Sequence, residues 1–321
     1  MNKHKLYGGG NNILHKKVQD KILIAISGGQ DSLYLVKLLD NSKIIKEKNI
    51  DISYIYIDHQ WRKDSYKQIK HIINYIKSFK TKLYIYQFHQ SLISEHISRI
   101  YRYNIILKHA IIHDYQYILT GHNQTDKVET FLHNFFRGKG IEGLTTLLSQ
   151  VQLSYNIRLL RPLLNINRNI IYWTCKKFHL PVWSDTTNYI YSLCRNRIRN
   201  ELIPYLKKYF HQNVDNNINN LLNSYYSHNE YIKQNTIKLY LNSIHDNYIA
   251  LNHLAITKQH FMLQFKAIQL FFIHNNNINI NHKTITDLIL HLNIKKSKIY
   301  LQVNLKYVTL HVNKKWIYMT L

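Results

Sequence analysis

The sequence predicts an α/β protein: a doubly wound parallel sheet followed by a smaller C-terminal α/β domain. Three observations carry that expectation. Short apolar runs of strand length alternate with segments of helical period as far as residue 121. The stretch "ILIAISGGQDSLYLVKLL", residues 22–39, reads as a buried strand, a tight glycine turn and a helix. After about residue 212 the composition turns polar and Asn-rich, and the last 25 residues alternate as antiparallel strands do.

The elements follow in order. Residues 22–27 form an Ile-rich first strand, with a helix over about 32–40. "ISYIYID" (52–58) is the second strand, "KLYIYQF" (82–88) the third and "YQYILTG" (115–121) the fourth. Between them, 64–78 places Ile69, Ile72, Ile73 and Ile76 on one helix face, and 93–113 is a second connecting helix. Residues 165–210 turn helical, with Pro181 marking a loop and Pro204 a helix-ending turn. Helical stretches over 214–242 and 258–274 precede the terminal strands. The expected domains are a tail at 1–20 with a flexible Gly8-Gly9-Gly10, a main domain at 21–211 and a second domain at 212–321.

Composition narrows the function. The chain has 321 residues, 45% hydrophobic and 19% charged, enough for two folded domains. No apolar run reaches the roughly 18 residues of a membrane span, and the first segment lacks a signal-peptide core. No membrane partner is expected. The two cysteines, Cys175 and Cys194, are too distant for a CxxC pair and too few for a zinc cluster, so they read as reduced thiols and no structural metal is expected. The 43 Lys+Arg against 18 Asp+Glu give a net charge of +25, which suits a polyanionic partner such as nucleic acid. AT-rich coding accounts for part of the lysine but not for the arginine clusters. The 26 tyrosines read mainly as core residues.

In Ser27-Gly28-Gly29-Gln30-Asp31-Ser32 the glycines allow successive N–H groups to converge on an anion at a helix N-terminus. Ser27 and Ser32 add hydroxyl donors. The turn itself matches neither GxxxxGK[ST] nor GxGxxG, so it is neither a Walker A loop nor a nicotinamide-type glycine turn. Asp31 beside phosphate calls for a cation, so it is expected to hold Mg²⁺ or to position the loop. Further on, His122, Asp126 and Glu129 fall at i, i+4 and i+7, on one face of a helix beginning at a strand end. Two carboxylates there can hold an ammonium or a metal. Arg137 and Lys139 follow in "RGKG". Arg195 and Arg199 repel each other at i, i+4, so an anion is expected opposite them, with Asp185 and RNA phosphate both open; Arg197, Lys207 and Lys208 extend that basic surface.

The SGGQDS turn resembles the pyrophosphate loop of the ATP-pyrophosphatase (PP-loop) superfamily, whose fold is adenine nucleotide alpha hydrolase-like. With "YIDHQWRKDS" (56–65), "EHISRIYRY" (95–103), "GHNQTDKVETFLHNFFRGKGIEGL" (121–144), "RPLL" (161–164) and "SDTTNYIYSLCRNRIRNELIPYL" (184–206), the ordered set resembles tRNA(Ile)-lysidine synthases over residues 20–210. One departure stands out. Where bacterial relatives often carry His-His-x-Asp-Asp, this chain has His122-Asn123-Gln124-Thr125-Asp126.

The resemblance implies ATP with Mg²⁺ as co-substrate, free L-lysine, and the tRNA(Ile) with a CAU anticodon. ATP adenylates the C2 oxygen of the wobble cytidine, and the lysine ε-amine then displaces AMP. It implies nucleotide binding by Ser27 to Ser32 with Asp58 and His59, lysine binding and proton acceptance by His122, Asp126 and Glu129, and phosphate or RNA contacts from Arg99 and Arg102. The C-terminal region, with Lys295, Lys296, Lys298, Lys314 and Lys315, is expected on the tRNA body. Rival readings are another PP-loop tRNA-modifying enzyme such as a thiolase, which needs cysteine pairs, and a non-catalytic RNA-binding protein. A homodimer is compatible with the resemblance. The expected location is the plastid stroma, with a bacterial cytoplasm as the alternative.

Overall fold

The computed structural model describes residues 20–42, 50–58, 65–79, 81–87, 95–183, 194–293, 301–305 and 308–320. Residues 1–19 of the expected tail, His59, Asp185, Lys295, Lys296 and Lys298 lie outside the described residues. The chain divides into two compact units, Met1–Asn220 and Leu221–Leu321.

In the first unit β1 (Lys21–Ile26), α1 (Gln30–Asp40), β2 (Asp51–Asp58), α2 (Ser65–Lys77), β3 (Lys82–Gln87), α3 (Glu95–Ile112) and β4 (Tyr117–Thr120) follow the predicted alternation. Next come α4 (Gln124–Phe135), α5 (Ile141–Leu144), β5 (Gln150–Ser154), β6 (Ile157–Leu160) and α6 (Arg168–Lys177). After α7 (Cys194–Arg197) a π-helical turn (Ile198–Leu202) leads into α8 (Ile203–Tyr209), and α9 (Val214–Leu241) contains the division between units.

The strand order is β3-β2-β1-β4-β6-β5. All pairs are parallel except β5–β6 at the edge. β1 touches both β2 and β4, so chain order reverses there. Loops leaving β1 and β4 therefore meet at the carboxyl edge, where open α/β sheets bind ligands.

Both faces are covered over β1, β2 and β4, which is why those strands read as apolar runs, while the edge strand β3 is largely exposed. Ile22, Ile24 and Ile26 join Leu35, Val36, Ile72, Ile76 and Ile171 on one side. Leu23 packs with Ile55, Ile57, Ile106 and Ile118 on the other. Three expectations need adjustment. Ile73 of α2 is exposed although Ile72 and Ile76 are buried. Pro204 sits directly after the π-helical turn, in the first turn of α8, rather than at a helix end. The β5–β6 hairpin is absent from the sequence reading because "QVQLS" is a polar edge strand and β6 spans only four residues.

The second unit holds β7 (Ala250–Asn252), α10 (His253–Thr257), α11 (Phe261–Asn276), α12 (His282–Asn293), β8 (Leu301–Leu305), β9 (Val308–Val312) and β10 (Trp316–Thr320). Its sheet, β7-β10-β9-β8, is antiparallel throughout. Phe265, Ile268, Phe272, Ile285 and Ile289 pack on Leu251, Leu310, Val312 and Ile317 as its core. Helix α12 has no counterpart in the sequence reading. Among the described residues no helix is long and apolar enough to cross a membrane.

Candidate active site

The glycine turn has its carbonyls tied back. Gln68 Nε2 donates to Ser27 O at 2.8 Å, Trp183 N–H to Gly28 O at 2.9 Å, and Ser32 Oγ to Gly29 O at 2.9 Å. Gly28 has φ +76, and a Cβ there would lie 3.3 Å from the Ile72 side chain, so glycine is required twice over. No side chain caps the start of α1. Its first-turn N–H groups and positive dipole end thus suit an anion. Gly121 lets the end of β4 abut this turn: a Cβ would stand 3.1 Å from the Asp31 carbonyl.

That approach joins the two predicted clusters through Asn123. Asn123 Nδ2 donates to Asp31 Oδ1 at 3.0 Å, while Asn123 and Asp126 form a reciprocal capping box at the start of α4. Burial, with the nearby Asp126 charge adding, pushes the Asp31 carboxyl up to about 6. Burial also works against the Asp126 charge, but Arg199 and Arg195, with a hydrogen bond from the Asn123 backbone, hold that carboxyl below its usual range.

The expected anion opposite Arg195 and Arg199 is supplied from within the chain. Arg199 Nη2 donates to Asp126 Oδ1 and to Glu129 Oε2, both at 2.9 Å, and its Nε pairs with Glu129 Oε1. Arg195 Nε donates to Glu129 Oε2 at 3.1 Å. Glu129 is fully buried, with both oxygens engaged. Such a pair holds only because hydrogen bonds satisfy the buried charges. Arg197 points elsewhere and pairs with Glu201 on the surface at 3.0 Å. Lys207 pairs with Asp215.

His122 lies on the same edge, its Nδ1 sharing a 3.0 Å hydrogen bond with Thr120 Oγ1. Burial, helped by Arg161, Arg99 and Arg102, pushes its pKa down to about 3, so the imidazole is neutral. Arg99 and Arg102 on α3 are therefore close enough to act on the site electrostatically. Asp58 is buried at the end of β2. Arg137 and Lys139 are exposed in the turn after α4 and are not brought to the carboxylates. Two residues escape the sequence reading. Asn123 bridges the clusters, and its Asn-x-x-Asp capping box is the signal that marks it. Arg161 of "RPLL" is buried and donates to Leu148 O at 2.6 Å. Cys175 is buried, its thiol pushed up to about 11 by burial, and Cys194 is exposed. Among the described residues no three His, Cys, Asp or Glu gather as a metal cluster.

A family model described as a PP-loop domain matches residues 4–206. The chloroplastic tRNA(Ile)-lysidine synthase of Gracilaria tenuistipitata var. liui is 47% identical over 299 residues, 92% of this chain and 92% of that protein. The chloroplastic tRNA(Ile)-lysidine synthase of Pyropia yezoensis is 37% identical over 96% of each chain. That of Nostoc sp. (strain PCC 7120) is 40% identical over 61% of this chain and 56% of its own. Among solved structures, the U34-tRNA thiolase NcsA of Methanococcus maripaludis, with its [4Fe-4S] cluster, aligns with TM-score 0.53 at 16% identity, covering 64% of this chain and 72% of that one. This last likeness concerns the fold alone. From the PP-loop match and the extent of these identities, the chain belongs to the tRNA(Ile)-lysidine synthase family of PP-loop proteins.

Proposed function

We propose that this chain ligates free lysine to C2 of the wobble cytidine of a CAU-anticodon tRNA(Ile), consuming ATP and releasing AMP and diphosphate, in a plastid. One observation carries the reading: Asn123 ties the phosphate turn at Asp31 to the Asp126–Arg199–Glu129 network. A nucleotide site and an amine-receiving site then share one sheet edge.

The uncapped N-terminus of α1, with Ser27 and Ser32, receives the phosphates. Asp31 fits as a Mg²⁺ ligand, because a carboxyl with a raised pKa beside a second acid gains from a neighbouring cation. Mg²⁺ is commonly held by one or two carboxylates together with substrate phosphates, where it neutralises charge on the leaving diphosphate. Adenylation converts the C2 oxygen into a good leaving group. The incoming lysine arrives as an ammonium with a reference pKa of about 10.4. Asp126, kept ionised by Arg199 and Arg195, attracts it and is the candidate to take up its proton as the amine attacks. Glu129 acts through the arginines it holds. Release of AMP from ATP that requires both lysine and the tRNA tests this; release that ignores lysine contradicts it.

A further inference from the structure

Helix α6 has two unlike faces. Ile171 and Cys175 are buried, and Cys175 Sγ meets Gln30 O at 3.5 Å, so this side is fixed against the start of α1. The other side carries Tyr172 and Trp173, 42% and 65% exposed, with Lys176 and Lys177 one turn on. Lys176 Nζ lies 4.9 Å from the Tyr172 ring and 5.7 Å from that of Trp173. At the helix start, Arg168 is near enough to Asp31 to lower its pKa, so the stripe Arg168–Tyr172–Lys176 leads outward from the active-site edge.

The chain segment that carries this helix holds charge of one sign. From Gly143 to Ser184 the sequence contains no Asp or Glu, while Arg158, Arg161, Arg168, Lys176 and Lys177 all fall within it. A protein-binding patch centred on lysine is disfavoured, since interface cores are depleted in it. Aromatic rings beside lysines match single-stranded nucleic acid, where bases stack while cations meet the phosphates.

We propose that the outer face of α6, with Trp173 and Tyr172 as stacking surfaces and Lys176 and Lys177 as phosphate contacts, binds unpaired nucleotides of the RNA substrate. The proposal rests on the tRNA reading above. It adds a track on the catalytic unit itself that holds bases next to the one being modified.

The test is an anisotropy titration of the full chain with a fluorescein-labelled anticodon stem-loop RNA bearing CAU, over a series of KCl concentrations. Trp173→Ala is expected to weaken binding roughly 5- to 140-fold, the range for loss of one stacked base, with an unchanged melting temperature. Trp173→Phe is expected to restore most of the affinity. Lys176→Ala/Lys177→Ala is expected to flatten the log–log salt slope by about 1.4, or 0.7 per lost contact. A Trp173→Ala isotherm and a double-lysine salt slope both superimposable on wild type overturn the proposal while leaving the functional reading intact. So does a Trp173→Ala variant that changes only the oligomeric state in sedimentation, which assigns the face to a second copy of the chain. A wild-type chain that binds no stem-loop RNA overturns both.

Discussion

Asp31 concentrates the electrostatic tension of the site. Its carboxyl is raised from 3.8 to about 6, so the folded state binds the proton more tightly than the unfolded state. Ionising it opposes folding by up to roughly 3 kcal/mol at 1.36 kcal/mol per unit, fully above pH 6 and not at all below pH 4. Asp31→Asn is therefore expected to raise the melting temperature of the ligand-free chain at pH 7.5, to leave it unchanged near pH 3.5, and to abolish turnover. Thermal melts at both pH values check this. A second residue-scale outcome concerns the arginines. Arg199→Ala removes bonds to a fully buried Glu129 and is expected to cost about 3–5 kcal/mol in urea unfolding. Arg197→Ala, which breaks only an exposed pair with Glu201, is expected to cost under about 1 kcal/mol. Equal losses in the two variants contradict the assignment of Arg199 to the buried network.

At the scale of elements, the site depends on how closely β4 approaches α1. A Cβ at Gly121 would meet the Asp31 backbone at 3.1 Å, and backbone cannot swing aside as a side chain can. Gly121→Ala is expected to destabilise the chain by about 1–3 kcal/mol and to weaken ATP binding, whereas Gly140→Ala, with nothing within 4 Å, leaves both unchanged. Calorimetric titration with ATP reads the difference. The strand–turn–helix at 22–39 is legible because all its determinants are adjacent in sequence. The partners of Arg195 and Arg199 are not, because Glu129 lies 66 and 70 residues away and only the fold brings them together. The bridging role of Asn123 is hidden for the same reason, since Asp31 lies 92 residues away and a short polar residue at a helix start reads first as a cap. Helix α12 carries the i, i+3, i+4 pattern at Ile285, Leu288 and Ile289, but the Asn- and His-rich stretch before it obscures where it starts.

For the whole molecule, the net charge of +25 sets the range of partners before any motif does. It predicts tRNA affinity that falls steeply with salt. Lys314 and Lys315, exposed between β9 and β10, are candidate contacts for the tRNA body. Lys314→Glu/Lys315→Glu is expected to raise KM for tRNA several-fold with kcat unchanged; a loss confined to kcat contradicts that placement. The main sheet is readable from composition because parallel strands buried on both faces must be apolar throughout. The small antiparallel sheet of the second unit follows from the alternation of its last strands. The most direct test of the central claim is to incubate the protein with ATP, radiolabelled lysine and the CAU-bearing tRNA(Ile), digest the tRNA, and count label on the wobble nucleoside. Label on that nucleoside, matched one for one by AMP and diphosphate and absent with Asp31→Asn, is the predicted result. AMP formed without label on the nucleoside contradicts it.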